Sequence, residues 1–357
     1  MDENLRRVFD RTRPSPEQKE AMLSRLLEPE RKVVPMKKLK KLTVLGIAAA
    51  LMVISCAAAV VTGIDKRLID YFGADQEQAE LLVPCAVPVD VTVEDNGATL
   101  HISQVLMDRY SILVLADFTA PEGTVLDLAL DGTEYGGRFA NFWGFSLLDQ
   151  AGEPIRPNQN WNTQTNVLDD GDPLDNHLTL LLQMLLDRGI RSDREIGGLF
   201  IPAKTLVRQN LEAQSYDTVY PGDWSCQVPI SWRDMGQSMS LNQTVGQVEG
   251  VDIAVTEVYL SPMTLQLHME HGPTADYVDL FRGLLRVFGP DDVTLTAKDG
   301  KTVRMAEYDP SANDVEQDWS FRLDEIIDPS QFQGGTLTLR VGDESVDIPL
   351  DGLVPVE

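Results

Sequence analysis

The sequence predicts a mainly β protein: two tandem antiparallel β-sandwiches of the immunoglobulin-like kind, placed outside one transmembrane helix that follows a short helical arm. Three observations predict it. An uncharged apolar segment divides a basic N-terminal stretch from an acidic body; the body alternates apolar and polar residues at a period of two; and one pattern of strands and turns occurs in it twice.

Charge sets the topology. Of 30 Lys and Arg and 56 Asp and Glu in 357 residues, 12 basic and 7 acidic residues precede Leu42. The remainder carries 18 against 49, so a small basic arm meets a body of balance −31. That asymmetry is the one the positive-inside rule associates with a cytoplasmic N-terminus. Leu42 to Ile64 contains no charged residue, and its 23 positions would span about 34 Å as a helix, enough for a hydrocarbon core of about 30 Å. The segment has three readings: a cleaved secretion signal, a lipoprotein attachment site at Cys56 in Val53-Ile54-Ser55-Cys56, or a permanent anchor. Its length and its distance from the N-terminus favour the anchor, because a secretion signal has a shorter apolar core near residue 1. No polar tether follows Cys56, which argues against acylation there.

Residues 1–41 read as two short helices. Leu5, Val8 and Phe9 share one side of the first, which Arg13-Pro14 breaks. Ser15, Pro16 and Gln18 form a capping-box arrangement ahead of Met22, Leu23, Leu26 and Leu27. Helices this short are marginal alone, so these two apolar faces are the candidate partner-binding face. Beyond the span, residues 65–86 are expected as a helical stalk, with Gly73 stopping the first of two helices.

From Val87 the period becomes two. Val89, Val91 and Val93 alternate with polar residues, and Asp95-Asn96-Gly97 is a hairpin signal. Strands are expected at Tyr110 to Phe118, Phe142 to Leu148, His177 to Leu186, Gly198 to Ile201 and Trp224 to Trp232. Shifted by 153 positions, "NGATLHISQVLMDRYSILVLADF" lies against "EGVDIAVTEVYLSPMTLQLHMEH", with Gly97 opposite Gly250, Leu100 opposite Ile253 and Val114 opposite Leu267. "FSLLDQAGEPI" similarly matches "VTLTAKDGKTV". The sandwiches are therefore assigned to 87–234 and 235–357, with the boundary near the non-periodic "DMGQSMSL".

The arm, the span, "IDKRLIDYFGADQEQAELLVPCAVPVDVTVEDNGATLHISQVLMDRYSILVLADFTAPEGT" and the closing "GDWSCQVPISW" together resemble the domain-of-unknown-function family 4179. The resemblance covers about Ile64 to Trp232. It implies a single-pass envelope protein of Gram-positive bacteria of the kind described as an anti-sigma factor, whose cytoplasmic segment holds a sigma factor until a signal arrives outside. Zinc-type anti-sigma segments use His and Cys, and Met1 to Lys41 has neither, so a sigma factor would be held by helix-in-groove packing.

No enzyme chemistry is expected. There is no nucleophile elbow, phosphate loop or motif-placed carboxylate pair, and no cofactor is implied. His268-Met269-Glu270-His271 is no metal motif on a strand, because His268 and Glu270 share a face and His271 points away. Asp169, Asp170, Asp172 and Asp175 lack calcium-loop spacing and read as a solvated loop. Trp143, Trp161, Trp224, Trp232 and Trp319 read as core rather than a sugar platform. Cys85 and Cys226, in an oxidising compartment, are candidates for a disulfide. The acidic body disfavours nucleic acid. The expectation is a membrane-anchored extracytoplasmic sensor or regulator with an unknown envelope ligand, or an envelope binding or scaffold protein without signalling.

Overall fold

Asp65 opens the described helices: its side chain accepts from the Arg67 amide, capping α1 (Lys66–Phe72), and Gly73 ends that helix at φ 60°. Asp75 and Gln78 form a reciprocal capping box at the start of α2 (Gln76–Leu82). The computed structural model describes residues 63–126, 137–140, 144–155, 161–168, 175–186, 189–190, 196–210, 215–231, 233–273, 277–312 and 316–356, all within the compact unit Ala59–Glu357. The arm and the expected span, apart from Gly63 and Ile64, lie outside the described residues. Among the described residues no helix is long and apolar enough to cross a membrane.

The body is mainly β. In chain order its first half holds β1 (Ala86–Asp95), β2 (Ala98–Met107), β3 (Ser111–Thr119), β4 (Gly137–Phe139), β5 (Ser146–Leu148), β6 (Trp161–Leu168), β7 (His177–Leu186), β8 (Gly198–Ile201), β9 (Lys204–Asn210), β10 (Ser215–Asp223) and β11 (Cys226–Pro229). The second half holds β12 (Gln237–Val248), β13 (Val251–Leu260), β14 (Thr264–His271), helix α3 (Tyr277–Val287), β15 (Val293–Thr296), β16 (Thr302–Ala312), β17 (Glu316–Leu323), β18 (Thr336–Val341), β19 (Glu344–Pro349) and the short β20 (Val354–Pro355). The expected strands at His177 to Leu186 and Gly198 to Ile201 occur at those bounds. Helix α3, β6 and the β9–β10 ribbon were not anticipated.

The 153-residue repeat is real in three dimensions. The first sheet runs β1-β2-β3-β7-β6, and the second half repeats that order as β12-β13-β14-β17-β16. The two-residue turns match as well: Asn96 and Gly97 sit at φ 49° and 79°, Glu249 and Gly250 at 50° and 77°, the positive angles a type I′ hairpin turn requires. The trio β11-β8-β5 likewise corresponds to β19-β18-β15. In the second half β15 pairs with β16, so everything joins into one nine-stranded antiparallel sheet. That sheet curls until Gly246 on β12 faces Val341 and Glu344 at its other end. In the first half three separate sheets remain, β10-β9-β4 being the third.

Each half has its own apolar core. Phe118 meets Trp224 edge-on at 4.8 Å in the first, and Trp319 stacks on Tyr308 at 5.8 Å in the second. The boundary is shorter than the sequence suggests. "QSMSL" already belongs to β12, because a partly exposed strand next to a sheet edge carries polar side chains and loses its period.

The stalk expected at 65–86 is not a stalk. Ile64, Leu68, Phe72, Leu82 and Cys85 form a third cluster with Leu106, Leu113, Leu115 and Leu181 on the outer face of the first sheet, and with Met263 and Ile326 of the second half. This explains β3, whose residues Ser111–Phe118 are all buried: Ile112, Val114, Ala116 and Phe118 face the inner core, while Leu113 and Leu115 face the helices. A strand covered on both faces reads as a continuous apolar run.

Candidate functional site: the junction of helices and repeats

The expected span is two residues too long at its end: Gly63 and Ile64 belong to the folded body, where Ile64 is buried against the first sheet, and side chains of that sheet hold the backbone from Gly63 onward. A register shift between Ile102 and Gln104 turns the Gln104 amide to the outer face. There its Nε2 donates to the Gly63 carbonyl at 2.7 Å, and its Oε1 accepts from the Asp65 amide at 2.8 Å. One buried side chain thus satisfies both polar groups of an incoming backbone.

One helical turn later Arg67 makes the ionic contact. Its Nε and Nη2 donate to Asp65 at 3.1 and 2.9 Å, while Nη1 donates to Asp117 of β3 at 2.5 Å and to the Thr179 hydroxyl of β7 at 3.1 Å. His177 approaches the same Asp117 oxygen at 3.3 Å. Burial would raise the Asp117 carboxyl, but hydrogen bonds from His177 and Arg67 outweigh it and hold it at about 2. Burial alone would likewise lower Arg67, yet the two carboxylates raise it above its ordinary range. A two-carboxylate guanidinium site of this kind keeps its charge state across the physiological range.

The helices also reach the second half. Gln78 Nε2 donates to the Ile326 carbonyl at 2.9 Å and approaches Glu325 at 3.2 Å, and the Arg322 guanidinium lies 5.7 Å from the Tyr71 ring centre. Tyr71 in turn accepts from Gln183 Nε2 at 2.9 Å. Phe72, Ser111, Gln183, Met263 and Arg322 line a small, partly open pocket of about 20 Å³, room for roughly one water.

The two halves meet at the tips of equivalent hairpins. The Asp108 amide donates to the Ser111 carbonyl at 3.0 Å, and the Ser261 amide to the Thr264 carbonyl at 2.9 Å. Asp108 Oδ1 accepts from the Tyr110 and Ser111 amides at 2.8 and 2.7 Å; Ser261 Oγ accepts from the Met263 and Thr264 amides at 3.1 and 2.8 Å. Across the junction Ser261 Oγ donates to Asp108 Oδ2 at 2.6 Å, and Thr264 Oγ1 to Ser111 Oγ at 3.0 Å. All four side chains are buried. Burial pushes the Asp108 carboxyl up, against hydrogen bonds from Ser261, Tyr110 and Thr264 that pull it down. Beside it Asp234 accepts from Arg109 Nε and from the Tyr259 hydroxyl, both at 2.8 Å, and Tyr110 packs edge-on against Tyr259.

The residues singled out in the sequence fall elsewhere. Leu5, Val8, Phe9, Met22, Leu23, Leu26 and Leu27 lie outside the described residues, as do Asp169, Asp170, Asp172, Trp143 and Trp232 and the Trp161 side chain. Cys85 and Cys226 are free thiols, Cys85 in the helix-covered cluster and Cys226 in the inner core of the first half. The pairing suggested by their positions is therefore absent: they belong to clusters on opposite faces of one sheet. His101 meets Asp90 at 3.1 Å, and His268 meets Asp318 at 2.7 Å. Among the described residues no group of three metal-ligating side chains occurs. Trp224 and Trp319 are buried in the cores. Sequence reasoning passed over Gln104, Arg67, Asp108 and Asp117. The signal it held was the polar match Asp108 with Ser261 and Ser111 with Thr264, at the same spacing as the apolar matches.

No family model matches the chain, and no curated protein matches it. Among solved structures the chain is similar to the conserved domain protein from Bacillus anthracis, with 11% sequence identity over 76% of this chain and 90% of that chain, at a TM-score of 0.45.

Proposed function

We propose that this chain is a membrane-anchored extracytoplasmic sensor or regulator of the anti-sigma-factor type, a member of the domain-of-unknown-function family 4179. Its body of two immunoglobulin-like β-sandwiches lies outside the membrane, and its basic arm acts on a cytoplasmic partner. The observation that carries this reading is the junction. The chain where the expected span ends, Gly63 to Gln78, is fastened to the first repeat through Gln104 and Arg67, and to the second through Gln78. A passive tether needs no such fastening; a device that passes a change in the outer body to its anchor does. The acidic body suits a cationic or proteinaceous envelope ligand, and the Leu5/Val8/Phe9 and Met22/Leu23/Leu26/Leu27 faces suit a groove on a sigma factor.

The test uses residues 1–41 as bait against cell extract, alongside a known anti-sigma pair. Recovery of a sigma factor supports the regulator. Its absence, when the control pair is recovered, leaves an envelope binding or scaffold protein. Protease or label access to the arm from outside intact cells would overturn the topology.

A further inference from the structure

Apolar surface left open on this body concentrates on one helix. Among the described residues eight large hydrophobic side chains keep more than a third of their surface open, and Tyr277, Val278, Leu285 and Val287 of α3, at 36 to 39%, are four of them. The helix is anchored on its other side by Leu280, Gly283 and Leu284, which close one end of the second core together with Phe288. At about 100° per residue, Phe281, Leu285 and Val278 line one outward flank, and Arg282 and Arg286 line the flank beside it. Phe281 is half-buried; both arginines are exposed.

Two adjacent arginines are unexpected in a chain of net charge −26. The contact of Arg282 with Asp279, at 3.6 Å between exposed side chains, is of a kind worth little in water. An apolar strip bordered by guanidinium groups matches the chemistry of an anionic phospholipid surface. Aromatic and aliphatic side chains enter the headgroup boundary while arginines hold phosphates. A chain already tethered to the bilayer would keep this helix at high effective concentration near that surface, so a weak contact suffices. We propose that α3 rests on the anionic surface of the bilayer, as a second membrane contact made by the outer body. The inference rests on the membrane-anchored reading above for the tether, and on α3 itself for the contact.

The experiment uses the full chain with Cys56→Ala and an environment-sensitive fluorophore at Leu285→Cys; Cys85 and Cys226 are shielded by burial. It is reconstituted in vesicles of phosphatidylcholine with or without phosphatidylglycerol. The expected result is a blue-shifted emission, quenched by lipid-borne spin labels, that needs phosphatidylglycerol and is lost in high salt and in the Arg282→Glu/Arg286→Glu variant. The same fluorophore at Val354→Cys, on another exposed apolar position, stays solvent-like throughout. Solvent-like emission at position 285 in both vesicle types overturns the proposal. So does a blue shift without lipid quenching, which would mean a protein contact. Retention of the chain in vesicles after a carbonate wash reports on the tether alone. A chain washed out of the vesicles refutes the tether, and the proposal with it, whereas a retained chain with solvent-like emission at position 285 refutes the α3 contact alone.

Discussion

Ser261 Oγ donates a hydrogen bond to the buried Asp108 carboxyl at 2.6 Å, and the two residues occupy the same position in hairpins 153 residues apart. Each also caps its own turn, so the tip of one repeat completes the tip of the other. Ser261→Ala removes a donor to a buried carboxyl and an acceptor for the Met263 and Thr264 amides. It is expected to cost about 2 to 3 kcal/mol in denaturant unfolding. Paired with Asp108→Ala in a double-mutant cycle, it should show a coupling of about 1 kcal/mol or more; additive losses would mean that the tips act independently.

Arg67→Met leaves Asp117 facing the apolar helix cluster without its main cation. A loss of about 3 kcal/mol is expected, with faster hydrogen exchange confined at first to 64–82. The pH dependence has a definite sign. Asp117 is depressed from an ordinary 3.8 to about 2, so its contribution of about 2 kcal/mol is present above pH 4 and is lost as the pH falls through about 2. The stability gap between the chain and its Asp117→Asn variant should close over that window. A gap that stays constant down to pH 2 would contradict the assignment.

His268 carries the opposite sign. Its hydrogen bond to Asp318 raises its pKa against the effect of burial, so the pair stabilises fully below the ordinary histidine range and fades as the pH rises through the folded value. Glu257, Glu316 and Asp318 are the acids that surround it. Nuclear magnetic resonance titration of the ring should place its midpoint above the ordinary histidine value, and Asp318→Asn should lower it.

Gly197 and Gly335 occupy equivalent places, each ahead of the middle strand of its β5 or β15 trio. A Cβ at Gly335 would lie 2.3 Å from the Thr296 carbonyl oxygen, and one at Gly197 2.6 Å from that of Asp149. Both oxygens are backbone and cannot swing away. Gly335→Ala and Gly197→Ala should each cost about 1 to 3 kcal/mol in thermal or denaturant unfolding, whereas Gly300→Ala, with open space around its Cβ, costs only its turn conformation.

Burial pushes the Cys226 thiol up to about 11 and Cys85 higher still. Neither should react with a disulfide reagent in the native chain near neutral pH, and both should react once it is unfolded. Recovery of a Cys85–Cys226 peptide from the non-reduced chain would contradict the two separate thiols.

The elements that announce themselves locally were legible. Asn96-Gly97 gave its hairpin because few residues accept two positive φ angles in succession, and Gly73 gave the end of α1 because a helix stops readily at a residue that takes φ 60°. Helix α3 was missed because its spacing stands between loops in a β context, and β6 because its polar sequence, "WNTQTNVL", carries no apolar alternation.

By itself the sequence determined the mainly β body, the turns that pair its strands, the 153-residue repeat and the asymmetry of charge about one apolar segment. All of these depend on residues close together in the chain or on a pattern repeated along it. Only the tertiary structure decided that α1 and α2 lie on the first sheet instead of standing off as a stalk, that Arg67 finds Asp117, that Asp108 meets Ser261, and that Cys85 and Cys226 stand apart. The physical reason is that these contacts join residues distant in the chain, 50 positions for Arg67 with Asp117 and 153 for Asp108 with Ser261, whose partners are selected by which face of a sheet is left uncovered. No local preference records that choice.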